Sequence, residues 1–256
     1  MLKRVITSIV ALIVFVPMLV FSDTWIFPAA MALAAFLGCY EMLSCVGKKK
    51  NLFLTLPILL CAVFFPLYVR YSYISKISFS EFAKLALGVV LVVILYVFAV
   101  AVFDNKKTSV TDAALVLIAC FYIIASFSAI VYLHDYIVLG KHKLIPSVSP
   151  KKTVEGGIGG TVFCVISIVV FGIVIENFFA PGEMKANYIV LAISGVFISV
   201  VSQIGDLIMS LIKRHYGIKD YGKILPGHGG ILDRFDSVMA VSIILAFICT
   251  YFNFFG

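Results

Sequence analysis

Residues 188–255 read YIVLAISGVFISVVSQIGDLIMSLIKRHYGIKDYGKILPGHGGILDRFDSVMAVSIILAFICTYFNFF. Two apolar runs, 188–212 and 235–255, flank a strip dominated by charge, glycine and a Pro-Gly turn. A run of about 20 apolar residues matches the hydrocarbon thickness of a bilayer. Lipid leaves the backbone only helices or closed barrels, and these runs are too long for barrel strands. The stretch therefore predicts two membrane helices joined by a polar loop.

The rest of the 256 residues repeats that alternation. The chain is 62% hydrophobic and 13% charged, with a mean hydropathy of +1.13. Soluble domains carry about 45–50% apolar and about 25% charged residues. This composition excludes an ordinary soluble enzyme, a disordered chain and a nucleic-acid-binding domain, despite a pI of 9.1. Eight spans are predicted, at 5–21, 25–46, 52–69, 82–103, 113–133, 158–179, 188–212 and 235–255. The first follows Lys3 and Arg4 and continues without a small-residue cleavage site, so it reads as a span rather than a signal peptide. Pro17 and Pro57 are expected to kink their helices. The six cysteines lie in or beside apolar runs with no C-x-x-C pair, and read as buried small hydrophobes.

The net charge of +7 sits in loops and sets topology. Lys3 and Arg4, Lys48 to Lys50, and Lys106 and Lys107 fall on one side by alternation, against Asp23, Arg70 and Lys76 on the other. The N-terminus is therefore expected in the cytoplasm. Eight simple spans would then put the two richest basic loops, 134–157 and 213–234, outside. One more crossing between 112 and 141 would restore both to the cytoplasm. Residues 113–139 extend only about 40 Å as helix, too short for two spans. Either this stretch is a re-entrant hairpin or a span is missing.

Those two loops hold the polar chemistry. Residues 140–160 contain Ser149-Pro150-Lys151-Lys152-Thr153 followed by Gly156, Gly157, Gly159 and Gly160. Glycines let backbone N–H groups approach an anion, and lysines supply point charges for phosphate. A basic interfacial loop with small packing residues is an equal alternative. In the second strip Asp206, Ser210 and Lys213 share a helix face at i, i+4 and i+7. Asp206 lies within an apolar run, where an ionisable group is costly and usually functional. Asp233 and Asp236 share a face at i, i+3, and Pro226-Gly-His-Gly-Gly230 is a tight turn. Four carboxylates beside five basic residues suggest a divalent metal and phosphate, and an oxygen-rich, His-poor set favours magnesium over zinc. Glu41 and Glu176, inside apolar runs, stay open between function and interhelical hydrogen bonding or snorkelling.

The strip 210–236 resembles the signature of the phosphatidate cytidylyltransferase (CDP-diacylglycerol synthase) family. The pattern S-x-x-K-R-x4-K-D-x-G-x2-[LIF]-P-x-H-G-G-x2-D-R-x-D is met in full by Ser210, Lys213, Arg214, Lys219, Asp220, Gly222, Pro226, His228, Gly229, Gly230, Asp233, Arg234 and Asp236. An upstream S-P-x-K-T-x-E-G element is met by Ser149, Pro150, Lys152, Thr153, Glu155 and Gly156, and Gln203-x-Gly205-Asp206 also matches. The chain departs from the family at one place. The family carries a further span ending in D-x-x-A-Y before its G-K-x-K-L segment, whereas here Tyr132 to Leu139 runs straight into Gly140-Lys141-His142-Lys143. About one span and its flanks, on the order of 30 residues, is absent relative to the family.

The resemblance implies an all-α, polytopic membrane bundle of about eight transmembrane helices where the family pattern has nine. Residues 1–133 would form N-terminal transmembrane helices, and 134–256 a catalytic membrane domain with cytoplasmic loops 140–157 and 213–234. It implies cytidylyl transfer from CTP to phosphatidic acid, giving CDP-diacylglycerol and pyrophosphate, at a bacterial inner membrane. It assigns Asp220, Lys219, Asp233, Asp236 and Arg234 to catalysis. It assigns Asp206, Asp220, Asp233 and Asp236 to Mg2+ or Mn2+. It gives Ser149, Lys151, Lys152, Thr153, Ser210, Lys213, Arg214 and His228 to substrate phosphates. A homodimer is plausible from the family and from the small residues of spans six and seven; no nucleic-acid partner is implied. The alternatives are a degenerate, non-catalytic lipid-binding homologue, motivated by the missing segment, and a transporter with Asp206 in a coupling site.

Overall fold

The computed structural model describes residues 17, 21–104, 108–135, 154–179, 185–222, 224 and 229–251, with the side chains of 154–159 and 178–179 outside that description. Regular structure among these residues is helical: α1 (Ile26–Cys45), α2 (Leu52–Ile74), α3 (Phe79–Phe103), α4 (Val110–Leu133), α5 (Val154–Val174), α6 (Tyr188–His215) and α7 (Leu232–Tyr251). A wider π turn, Ile175–Phe179, extends α5. All but α7 are long and apolar enough to cross a membrane, and the chain is a polytopic helical membrane protein. The first expected span, 5–21, lies outside the described residues apart from Pro17 and Phe21. Pro57 and Pro66 both lie inside α2.

Several helices start about three residues earlier than the apolar runs do, because their first turns are polar and capped. The Ser78 side chain accepts the Glu81 N–H at the start of α3. Ser109 and Asp112 form a reciprocal capping box on α4, while Asn187 caps α6 where its apolar run begins. Such caps satisfy backbone donors that a helix start leaves unpaired. At the other end of α6, Gly217 takes φ +64° and lets Ile218 N–H reach back to the Lys213 carbonyl.

Helices α1, α2, α4 and α7 enclose the core, with Ala35, Cys39, Met42, Leu54, Ile123, Phe127, Leu232 and Met239 almost fully buried. Gly38 makes the α1–α4–α7 junction close: a Cβ there would lie 3.1 Å from Leu232 and 3.2 Å from Ile123. Only Val93, Val97 and Ala101 of α3 are buried, and its remaining surface suits lipid contact. Helices α5 and α6 run antiparallel, with Thr161 bonded to Ser199 near one end and Leu191 set against Gly172 near the other.

These contacts fix which ends coincide. The C-terminal ends of α1 and α6 meet the N-terminal end of α7, through Glu41–Leu232 and Lys213–Asp233. The C-terminal end of α4 meets the far end of α7, where Tyr132 bonds Thr250. Helix α4 is a single helix over 110–133, so no hairpin turns back within it. It ends, and α5 begins, at opposite ends of the bundle. The residues that connect them, 136–153, lie outside the described residues.

Arg70 is a correction to the charge count. It was expected in a loop, but it lies inside α2, 5% exposed, with Nη1 2.7 Å from Asp135 Oδ1 and Nη2 donating to the Asp23 carbonyl. His134 joins Asp135 at 3.0 Å and stacks on Phe27. Paired with Asp135, Arg70 does not count as free positive charge at that end.

Candidate active site

The site is built where the last turns of α6 meet the first turns of α7. Asp206, Ser210 and Lys213 occupy one face of α6, as their spacing predicts, and all three are half-buried. Gly205 brings the two helices into close contact: a Cβ there would stand 2.5 Å from the Ala240 Cβ and 3.1 Å from the Asp236 carbonyl oxygen. This approach sets the Asp206 carboxyl within hydrogen-bond reach of the Asp236 carboxyl. Asp236 Oδ1 also accepts the Ser237 N–H at 2.8 Å. Two facing carboxylates repel unless a cation or a proton lies between them.

Asp233 is engaged differently. Its Oδ1 lies 2.9 Å from Lys213 Nζ, and its Oδ2 accepts the N–H groups of Tyr221 at 2.8 Å and Gly230 at 3.0 Å. It therefore ties the polar loop to the start of α7 while neutralising Lys213. Tyr221 is buried, donates its hydroxyl to the Met209 carbonyl at 2.8 Å, and carries Lys213 over its ring at 5.5 Å. Burial pushes the Tyr221 phenol well above its usual range, so it stays a hydrogen-bond donor.

A second carboxylate closes the loop from α1. Glu41, 3% exposed, accepts the Ile231 N–H at Oε1 (2.9 Å) and the Leu232 N–H at Oε2 (3.0 Å). Gly222 and Gly230 press against it: a Cβ on either would come within 2.4 Å of Oε1. Gly222 and Gly230 leave the space that the glutamate fills.

The remaining predicted residues divide plainly. Arg214, Lys219, Asp220 and Arg234 are exposed at this end of the bundle, Asp220 one residue before Tyr221. Ser149, Lys151, Lys152, Thr153 and His228 lie outside the described residues. Among the described residues no three His, Cys, Asp or Glu side chains form a metal-binding group. Within the expected set of Asp206, Asp220, Asp233 and Asp236, the structure pairs Asp206 with Asp236, gives Asp233 to Lys213 and two N–H groups, and leaves Asp220 apart. The facing pair is the donor set that fits a hard divalent cation, since it offers only oxygens from two carboxylates brought together.

Two contributors were not singled out from the loops. Glu41 is 190 residues from its partners, and its one sequence signal was a carboxylate in an apolar run. Tyr122 of α4 turns a buried hydroxyl, with no hydrogen-bond partner, toward the contact of Gly205 with α7. Nothing in its apolar segment marked it.

Comparison with known proteins places the sequence pattern. The profile described as the Cytidylyltransferase family matches residues 2–137 and 136–252. The two stretches meet at 136–137, where the span was read as missing. A protein of Bacillus subtilis (strain 168) called "Phosphatidate cytidylyltransferase" is 32% identical over 277 aligned positions, covering 99% of each chain. Those positions outnumber the 256 residues here, so that relative carries residues this chain lacks. Proteins of the same name from Staphylococcus saprophyticus (34%) and Staphylococcus aureus strain COL (33%) align over 93% of this chain and 95% of their own.

Proposed function

The chain belongs to the cytidylyltransferase family, and on that premise we propose that it transfers the cytidylyl group of CTP to phosphatidic acid, releasing pyrophosphate and leaving CDP-diacylglycerol in the membrane. As a member it is a membrane-embedded nucleotidyltransferase. The lipid substrate, magnesium and a cytoplasmic-facing site at a bacterial inner membrane are the proposal.

The observation that carries the reading is the Asp206–Asp236 pair beside the Lys213–Asp233 ion pair, at the junction of α6 and α7. In the reaction a phosphate oxygen of the lipid forms a bond to the α-phosphorus of CTP, and the bond from that phosphorus to the bridging oxygen of the β-phosphate breaks. The nucleophile is already anionic, so no strong base is needed. What remains is to hold two polyanions in line and to neutralise their charge. Asp206 and Asp236 would hold Mg2+ or Mn2+. When bound, the cation supplies Lewis-acid charge neutralisation on the phosphates and the leaving group. Arg214, Lys219 and Arg234, exposed at this end, are free to reach triphosphate or lipid phosphate, with Lys151 and Lys152 as a second basic group. Lys213 is held by Asp233, which keeps its ammonium near the carboxylates rather than in bulk water. The rise of Lys213 and Asp206 from the polar strip into an apolar helix suits a meeting of water-soluble nucleotide and leaflet-bound lipid.

The test is formation of CDP-diacylglycerol and pyrophosphate by the purified protein in detergent, with CTP and phosphatidic acid supplied. Folded protein that binds CTP but makes no product would favour the non-catalytic homologue instead.

A further inference from the structure

We infer that Glu41 of α1 is a positioning residue for the α7 carboxylates, holding Asp233 and Asp236 in register with Asp206. This rests on the cytidylyl-transfer reading of the site. The start of α7 presents N–H groups that no helical carbonyl can take. Glu41 accepts two of them, from Ile231 and Leu232, with one carboxylate oxygen each. Asp233 accepts the preceding one, from Gly230, together with Tyr221 N–H. Two carboxylates, one from α1 and one from α7 itself, thus take three successive N–H groups at the start of α7.

Two consequences follow from that geometry. A helix N-terminus is ordinarily a ready anion site, but this one is already occupied by protein carboxylates. Substrate phosphate is thereby left to the basic side chains and the carboxylate-bound cation. Glu41 also sets the rotation and height of α7: Asp233 and Asp236 lie one and four residues beyond Leu232, within the first turns. Gly222 and Gly230 admit the glutamate because neither carries a Cβ. Glu41 touches no expected substrate atom, so it acts through the position of α7.

Steady-state kinetics of purified, folded Glu41→Ala and Glu41→Gln test the inference, with wild type and Asp236→Ala alongside. Displacement of catalytic groups by about 1 Å costs about 10²-fold in rate. Glu41→Ala is expected to lose about that factor in kcat, with KM for CTP little changed. Glu41→Gln, which keeps one carbonyl acceptor, should fall between it and wild type. A merely structural residue would lower yield and melting temperature while the folded fraction kept wild-type kcat, and that result overturns the inference. If Glu41→Ala does not fold, Glu41→Gln decides by the same criterion. If wild type itself forms no product, the functional reading fails, and the contact is judged by melting alone. Gly222→Ala should then lower the melting temperature in the wild-type background and have little effect in Glu41→Ala; equal effects in both would overturn the contact.

Discussion

A single methyl group at Gly205 should disable the site while leaving the chain folded. The Cβ of Gly205→Ala would stand 2.5 Å from the Ala240 Cβ, which has no rotamer to turn away, and 3.1 Å from the Asp236 carbonyl oxygen. Carbon atoms rest at about 3.5–4.0 Å, so α6 and α7 must part by about 1–1.5 Å at this level. Overpacking of this kind costs about 1–3 kcal/mol of stability, which the bundle can absorb. The catalytic cost is larger in effect, because the strain falls on Asp206, the next residue, and on Asp236, whose own carbonyl is struck. A misplacement of about 1 Å is worth about 10²-fold in rate. The assay is kcat for CDP-diacylglycerol formation alongside thermal unfolding in the same detergent. Gly195→Ala is the control: its Cβ would lie 3.0 Å from Val165 Cα, against α5 and about three helical turns from Asp206. It should cost stability and spare kcat. Wild-type kcat in Gly205→Ala, or equal losses in both variants, would refute the claim that this contact sets the carboxylate pair.

Asp206→Asn and Asp236→Asn should each reduce turnover by at least about 10²-fold, as loss of a main electrostatic contributor does, with unfolding temperature unchanged or raised because the repulsion is relieved; near-normal rates would remove them from the site. Arg70→Met leaves Asp135 buried without its cation and should cost about 3–5 kcal/mol in chemical unfolding. The double variant Arg70→Met/Asp135→Leu should recover most of that, and a fully additive double would contradict the pair. A tag after the C-terminal end of α7 should be accessible from the side opposite the Lys48–Lys50 loop, since α7 ends beside the far end of α4; labelling from the same side would contradict the helix order.

Helix existence was legible because lipid demands long apolar runs, and six runs fall where helices α1 to α6 stand. The edges were less legible: Phe79-Ser80-Glu81 and Val110-Thr111-Asp112 are polar first turns whose helicity depends on caps rather than apolarity. Arg70 read as a loop charge because pattern alone does not reveal a partner 65 residues away. The Asp206, Ser210 and Lys213 face was legible because i, i+4 and i+7 are local. The differing fates of Asp233 and Asp236 were not, since three residues of separation say nothing of which carboxylate meets Lys213 and which meets Asp206. Glu41 and Tyr122 were hardest, being brought to the site only by packing of α1 and α4 against α7. The missing crossing was read twice from sequence, by charge and by motif.

The central claim is that the Asp206–Asp236 pair is a divalent-cation site for cytidylyl transfer. Its most direct measurement is a magnesium titration of CDP-diacylglycerol formation by wild type and Asp236→Asn in one detergent preparation. The account predicts saturable, magnesium-dependent turnover in wild type, abolished by chelator without unfolding, and a variant that additional magnesium does not restore to the wild-type rate. Turnover that is insensitive to chelator, or a variant with the wild-type magnesium response, would contradict it.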